Sequence, residues 1–203
     1  MTRPRLREMT LEQFGAALAA KQPVPGGGAA AACVLAHSAA LGAMVIAYTR
    51  GKPKFAAHED RLARLEALLT TARSEALDLG DRDADAYQAL NALWKLPADE
   101  RSSRASWHAA VAEAIAAPAA TTDLAVSVLA ALTSMREITS VQLASDLKIA
   151  QRFAHAAVES ALANVEVNLP QLCDEAMRAS WLSFVMTRRA EGTRLAESVA
   201  VAS

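Results

Sequence analysis

Cysteine and aromatic residues are both scarce in this chain of 203 residues. The two cysteines, Cys33 and Cys173, are far apart and form no Cys-x-x-Cys pair. The four histidines show no H-x-x-x-H pairing. A disulfide framework and a structural zinc site are therefore not expected, and no metal is predicted. Reduced thiols are typical of a cytoplasmic protein, which is the location we expect.

Neither sign of charge predominates. The chain has 21 Lys and Arg against 22 Asp and Glu, for a formal net charge of −1. No run of basic residues interleaves with aromatic residues, so we expect no nucleic-acid partner. The basic N-terminal residues are not followed by the apolar segment of a secretory signal.

One segment, residues 22–49, carries no formal charge over its 28 positions and is long enough to span a bilayer. It opens with two prolines and three glycines, and most of its body is alanine, which gains little from lipid. We interpret it as the central helix of a bundle and expect no membrane partner.

Alanine dominates the composition, with 49 residues, whereas aromatic residues make up only 4%. Alanine is the best helix former, and small side chains let helices pack closely. No segment shows the alternation of a β-strand. The sequence predicts an all-α protein, an elongated up-and-down bundle of about six long helices in a single domain over residues 1–203.

Local signals predict the helix boundaries. Thr10 and Gln13 form a capping box. Pro118 should interrupt a helix, with Thr121 or Thr122 as the new N-cap. Pro170 should occupy the first turn of the last helix. The predicted ranges are 10–21, 27–49, 58–94, 103–135, 140–168 and 170–199.

The predicted helix over 58–94 carries one unusual acid. Apolar residues recur along it at alternating spacings of three and four, as in the seam of a packed bundle, and Asp83 is the one charged member. Asp81 and Asp85 are predicted to face outward. A carboxylate aimed inward must be paired, or its pKa rises, so Asp83 is a candidate catalytic group. The alternative is a helix that drifts until Asp83 meets water at the edge of the seam.

The predicted helix over 140–168 places Asp146 and Asn164 opposite a polar face that we expect to be solvated. That face holds Lys148, Gln151, Arg152, His155, Glu159 and Glu166. Asp146 and Asn164 are about 27 Å apart along a helix, so they cannot share one small pocket within a single chain. Capping of the helix is the alternative role for Asp146 or Ser145.

The segment Pro23-Val-Pro-Gly-Gly-Gly28 directly precedes the uncharged helix. Three glycines at a helix start are typical of a place where the backbone approaches another group closely. The first turn of the helix presents free N–H groups and the positive end of the helix dipole. A flexible loop between helices is the alternative.

With these motifs in order, the chain resembles the cyclodeaminase/cyclohydrolase family, which includes the C-terminal domain of formimidoyltransferase-cyclodeaminase and stand-alone methenyltetrahydrofolate cyclohydrolases. The family's P-x-P-G-G-G appears at residues 23–28, and its T-x-G-K-K-K-[YF] at residues 49–55. Its D-x-D-A-x-A-[FY] appears at 81–87, its Ser-Asp pair at 145–146, and its N-V-x-[IV]-N at 164–168.

The resemblance implies an all-α homodimer that binds a tetrahydrofolate derivative in a groove between helices. Family members close 5-formimidoyltetrahydrofolate to 5,10-methenyltetrahydrofolate with loss of ammonia, or hydrate the methenyl form to 10-formyltetrahydrofolate. Carried onto this chain, the catalytic candidates are Asp83 and Asp146. The substrate-binding candidates are Pro25, Gly26, Gly27, Gly28, Lys52, Lys54, Ser145 and Asn164, with the glycines and lysines holding the anionic end of the folate.

The chain departs from the family pattern around this expected site. Where the family usually has G-N-x-N-A-[VI]-S-D, residues 139–146 read Thr-Ser-Val-Gln-Leu-Ala-Ser-Asp. Lys148 occupies a position that is usually glycine, and the middle lysine of the triple is Pro53. Two alternatives remain open: a relative that uses the same groove for another small ligand, and a helical oligomerisation protein without catalysis.

Overall fold

The computed structural model describes residues 3–200, apart from the side chains of 199 and 200. This part of the chain contains seven α-helices and no β-strand, so the all-α prediction is confirmed. The helices are α1 (Leu11–Ala19), α2 (Gly27–Ala47), α3 (Glu59–Leu93), α4 (Ala98–Ser102), α5 (Ala105–Ser134), α6 (Ala144–Asn168) and α7 (Glu175–Ala200). Short 3₁₀ turns occupy Leu6–Glu8, Pro53–His58, Val141–Leu143 and Leu169–Gln171.

Four long helices form an antiparallel bundle. Helix α2 packs against α3 and α6, and α5 packs against the same two helices from the other side. The start of α2 meets the later part of α3 and the end of α6, at Asp83 and Asn164. At the opposite end of the bundle, the backbone N–H of Ser140 donates to Thr49 Oγ1 at 3.3 Å.

Small residues let these helices approach one another closely. At Gly42, in the middle of α2, a Cβ atom would lie 2.3 Å from Leu132 Cδ2 of α5 and 3.0 Å from Leu69 Cδ1 of α3. Ala29, Ala32 and Ala39 of the same helix are fully buried. The abundance of alanine and the scarcity of aromatics therefore reflect a core built from close backbone contacts.

Two described helices, α2 and α5, are long and apolar enough to cross a membrane. Their most apolar windows are 56% and 67% buried inside the bundle. Core helices of a bundle have the same composition, because they are in contact with other helices over most of their surface.

Pro118 does not interrupt α5, so the predicted break there is wrong. The helix runs without interruption from Ala105 to Ser134. The hydroxyl groups of Thr121 and Thr122 donate to the carbonyls of Ala117 and Pro118, four residues earlier, and cap nothing. Both threonines are buried. Packing on both sides of α5 outweighs the local cost of the proline.

The start of the last helix also differs from the prediction. Pro170 lies in a 3₁₀ turn, and α7 begins only at Glu175. Asp174 precedes it and accepts a hydrogen bond from the N–H of Met177 at 2.9 Å, as an N-cap residue does. The short helix α4 was not predicted.

Helix α7 covers part of the face of α6 that was expected to be solvated. Arg189 of α7 contacts Glu159 at 3.1 Å and Glu166 at 3.0 Å. Gln151 is only 4% exposed and donates to the carbonyl of Leu132. Gln151, Glu159 and Glu166 therefore serve as contacts between helices, and the expectation of a solvated face is wrong at these positions, whereas Arg152 is exposed.

Candidate functional site

A cleft of about 450 Å³ opens where α2 begins, between α2, α3 and α6. Backbone of the triple glycine, one acid, two aromatic rings and three side-chain amides line it. The lining residues are Pro23, Val24, Gly26, Gly27, Gly28, Asp83, Tyr87, Trp94, Ala114, Asn164, Val167, Asn168 and Gln171. Four of the predicted site residues, the three glycines and Asn164, thus meet the predicted acid Asp83 in one place.

Asp83 is the charged group of this cleft. Its carboxyl makes no hydrogen bond or ion pair within the described residues, which distinguishes it from most acids of α3. Burial raises its pKa from 3.8 to about 6, because desolvation disfavours the charged form. A carboxyl with this pKa exchanges protons readily near neutral pH.

Gly28 gives Asp83 its position. A Cβ atom at Gly28 would lie 2.0 Å from Asp83 Oδ2 and 2.2 Å from Asp83 Cγ, well inside contact distance. The carboxyl therefore rests directly on the backbone at the start of α2. Because Gly26 is the N-cap, the N–H groups of Gly27 and Gly28 have no acceptor within the helix. The triple glycine is therefore a place where a side chain approaches the backbone closely, as the three glycines in the sequence indicated.

Two asparagine amides line the cleft from α6. Asn164 Nδ2 donates to the carbonyl of Ser160 at 3.1 Å. Asn168, 9% exposed, donates to the carbonyls of Ala114 at 3.0 Å and Asn164 at 2.9 Å. Only the nitrogen of an amide can donate, so these bonds fix both orientations. Neither amide oxygen accepts a hydrogen bond from the described part of the chain, so both remain acceptors for a bound molecule.

An aromatic pair in the cleft was missed by sequence reasoning. The rings of Tyr87 and Trp94 contact each other edge to face, with centroids 5.9 Å apart and planes at 72°. Tyr87 lies one helical turn beyond Asp83, a spacing of four that could have revealed it. Trp94 lies just past the last residue of α3 and no local pattern marks it.

The remaining predicted residues lie elsewhere. Pro25 is buried and lines an adjoining cleft instead of this one. Lys52 and Lys54 are exposed beyond the C-terminus of α2, about 30 Å from its N-terminus for a helix of 21 residues. The expectation that they join the triple glycine around one anionic group is therefore wrong within a single chain.

Ser145 and Asp146 lie at the same end as the two lysines. They occupy the first turn of α6, which runs antiparallel to α2. Ser145 is exposed and Asp146 is half-buried. The chain thus separates its predicted site residues into one group around Asp83 and another around Asp146.

Asp81 does not face outward as predicted. It is 1% exposed, accepts a hydrogen bond from Arg3 Nη1 at 2.8 Å, and accepts two longer ones from the N–H of Leu6. Asp85 is exposed, as predicted, and pairs with Arg3 at 3.1 Å. The N-terminal segment folds back over α3, a contact that no local pattern reveals. Asp81 is therefore a structural acid, in contrast to Asp83.

No group of three or more His, Cys, Asp or Glu that could hold a metal ion occurs within residues 3–200. The polar groups of the residues that line the cleft are side-chain amides, backbone N–H groups, a tyrosine hydroxyl, an indole N–H and one carboxyl. These are groups that bind an organic ligand through hydrogen bonds.

The sequence matches the family model described as formiminotransferase-cyclodeaminase over residues 10–185. It is 30% identical over 173 residues to formimidoyltransferase-cyclodeaminase from Sus scrofa, covering 83% of this chain and 32% of that protein. It is also 30% identical over 194 residues to methenyltetrahydrofolate cyclohydrolase from Methylorubrum extorquens, covering 94% of this chain and 93% of that one.

A solved structure shows the same fold. The crystal structure of formiminotetrahydrofolate cyclodeaminase from Thermotoga maritima superposes with a TM-score of 0.90 at 27% sequence identity, covering 96% of each chain. The chain spans about a third of the length of the animal proteins and nearly all of the two bacterial ones.

Proposed function

Because the chain belongs to the formiminotransferase-cyclodeaminase family, we propose that it is an enzyme of folate one-carbon metabolism. It forms or opens the 5,10-methenyl bridge of tetrahydrofolate, as a cyclodeaminase or a cyclohydrolase. The observation that carries the proposal is the unpaired, half-buried carboxyl of Asp83, which rests on Gly28 in a cleft lined with hydrogen-bonding groups.

Both reactions need one group that moves protons. In cyclodeamination, N10 attacks the formimidoyl carbon and loses its proton, and the carbon–nitrogen bond to the departing ammonia breaks. In hydration, water attacks the methenyl carbon and loses one proton. The bond from that carbon to N5 then breaks, N5 takes up a proton, and the hydroxyl of the adduct releases its own proton to solvent as the formyl carbonyl forms. Asp83 is mostly ionised at neutral pH with a pKa of about 6, so it accepts the first proton and returns it to the leaving nitrogen.

The other groups of the cleft bind and orient the folate. The amide oxygens of Asn164 and Asn168 accept ring N–H groups of the pterin. The rings of Tyr87 and Trp94 pack against an aromatic part of the ligand. Because N10 and the one-carbon unit belong to the same molecule, holding them in contact supplies much of the rate enhancement.

The surface around the cleft has room for a long ligand. A second cleft, of about 790 Å³, shares Pro23 and Val24 as a common wall with the first. Arg3 and Arg5 line this second cleft. A folate whose pterin lies beside Asp83 can extend its glutamate end over Pro23 and Val24 into this space.

We further propose that the enzyme is a homodimer whose contact runs along α2. Residues 22–49 carry no formal charge, yet Tyr48 is 62% exposed and Val34, Leu41 and Met44 are only partly buried. On α6, which packs along α2, Ile149 and Phe153 are about 40% exposed. An uncharged helix face flanked by exposed apolar side chains is typical of a contact between subunits.

A twofold axis perpendicular to α2 would pair the helix with its copy in antiparallel orientation. The start of α2 in one subunit then lies beside the end of α2 in the other. This arrangement would bring Lys52, Lys54, Ser145 and Asp146 of one chain toward the Asp83 cleft of its partner. The two groups of predicted residues, separated within one chain, would then serve one substrate.

The Leu41→Glu substitution should separate the subunits. It places a charge on the uncharged face of α2, where it would be desolvated in the dimer. We expect the variant to sediment as a folded monomer and to lose most activity, because each site lacks its partner's residues. Leu68→Glu, at an exposed apolar position of α3, is the control and should keep the mass and activity of the wild type. A dimeric, active Leu41→Glu protein would refute this interface.

Two assays test the function itself. The first follows loss of the near-ultraviolet absorbance of 5,10-methenyltetrahydrofolate against the uncatalysed rate. The second follows the appearance of that absorbance from 5-formimidoyltetrahydrofolate. We expect acceleration in one or both assays. Acceleration in the first identifies a cyclohydrolase, and acceleration in the second identifies a cyclodeaminase. Wild-type protein that accelerates neither reaction would contradict the proposed function.

A further inference from the structure

The interior proline of α5 leaves a carbonyl group without its helical partner. Proline has no N–H, so residue 118 cannot donate to the carbonyl of Ala114, four residues earlier. Ala114 is 4% exposed, and a buried carbonyl without a donor is costly.

The side chain of Asn168, on α6, supplies the missing donor. Its Nδ2 donates to the carbonyl of Ala114 at 3.0 Å. The other N–H of the same group donates to the carbonyl of Asn164 at 2.9 Å. Ala114 and Asn168 both line the cleft beside Asp83. The proline on one helix therefore determines how an amide on another helix is held.

We propose that Pro118 is a positioning residue for the substrate. Because Pro118 leaves the Ala114 carbonyl without a helical donor, this carbonyl accepts a hydrogen bond from the Asn168 amide. Both N–H groups of the amide are then engaged, and its oxygen is free. That oxygen accepts an N–H from the ring of the ligand. The identity of the ligand rests on the proposed folate function, whereas the positioning of the amide does not.

The Pro118→Ala substitution restores the backbone N–H. In the variant, Ala114 accepts a hydrogen bond from residue 118 within the helix, and Asn168 must share or give up this acceptor. Alanine is favoured over proline in a helix interior, so the melting temperature should not fall. Any weaker ligand binding would then come from the amide and not from unfolding.

Nuclear magnetic resonance can observe the amide directly, because the chain has only three asparagines, at 91, 164 and 168. Protein labelled with ¹⁵N-asparagine gives three side-chain amide pairs, and the pair missing from Asn168→Ala identifies Asn168. We expect Pro118→Ala to shift this pair and speed its hydrogen exchange. Thr121→Val, which alters a hydroxyl on the next turn of α5, is the control and should leave the pair in place. An unchanged Asn168 pair in Pro118→Ala would overturn the proposal.

Titration with tetrahydrofolate measures the consequence for binding. We expect Pro118→Ala to weaken the affinity by about 3- to 10-fold, the usual effect of one hydrogen bond. In an Asn168→Ala background, Pro118→Ala should have no further effect, since its action passes through that amide. An equal loss in both backgrounds would overturn the proposal. If the wild type binds no tetrahydrofolate, the proposed function fails, and the amide spectra still decide the role of Pro118.

Discussion

Asp83→Asn should abolish most activity while making the protein more stable. Removing the group that accepts and returns protons is expected to lower kcat by about 10²- to 10⁴-fold. The amide has nearly the same shape, so the cleft and its contact with Gly28 remain. Turnover of 5,10-methenyltetrahydrofolate or 5-formimidoyltetrahydrofolate measures the loss.

The gain in stability follows from the pKa of the acid. Native Asp83 has a pKa of about 6, against 3.8 for an unperturbed carboxyl. Between these values the native protein holds more protons than the unfolded one, so this group lowers the free energy of unfolding as pH rises. The loss of stability caused by ionising the buried Asp83 carboxyl is absent below pH 3.8 and fully present above about pH 6. At pH 8 we expect Asp83→Asn to raise the free energy of unfolding by about 1–3 kcal/mol.

Urea unfolding at several pH values checks this prediction. The difference in stability between Asp83→Asn and wild type should be largest at pH 8 and should shrink as pH falls below 6. The pH–rate profile of the wild type should rise through about pH 6, and the variant should lack this limb. Glu75→Gln, an exposed carboxyl-to-amide change on α3, is the control and should alter neither property. An Asp83→Asn protein with wild-type turnover would exclude Asp83 as the catalytic group.

Gly28→Ala should damage both folding and catalysis, although alanine is the better helix former. Its Cβ would lie 2.0 Å from Asp83 Oδ2 and 2.5 Å from Asp83 Oδ1. Either the carboxyl must swing away or α2 and α3 must separate. Overpacking of this kind costs about 1–3 kcal/mol. We expect a loss of activity of at least about 10²-fold, because the displaced acid no longer meets the substrate.

Two further variants separate this clash from a general effect on the helix. At Gly27 a Cβ would lie 3.6 Å from Asn164 Oδ1, an ordinary contact, so Gly27→Ala should fold with undiminished stability. In an Asp83→Ala background the atoms that clash are gone, so Gly28→Ala should cost little stability there. If Gly28→Ala is equally destabilising with and without the Asp83 carboxyl, the contact between these residues is not the cause.

Several properties of the site followed from the sequence because they depend on neighbours along the chain. Asp83 interrupts an apolar seam, so the helix that forms the seam also turns its carboxyl inward. The triple glycine precedes a helix and lacks Cβ atoms, so it permits close approach wherever it lies. Motif order then identified the family, which the comparisons confirmed.

Other properties depend on pairs of residues that no local pattern connects. Asp81 is buried because Arg3, 78 positions earlier, folds over it. The Ala114 carbonyl, which Pro118 leaves without a helical donor, accepts a hydrogen bond from Asn168, 54 positions away. Trp94 joins the cleft because α3 continues past Asp83 to the point where the chain turns.

The sequence by itself determined the all-α class, the inward acid and the glycine approach, since each arises from intrinsic preferences and side-chain periodicity over a few turns. Only the tertiary structure decided which of these features meet. Helices of 21 to 35 residues carry their two ends about 30 to 50 Å apart, so the order of packing places Asn164 beside Asp83 and leaves Lys52 and Asp146 at the far end. Periodicity along one helix contains no information about which end of another helix lies beside it.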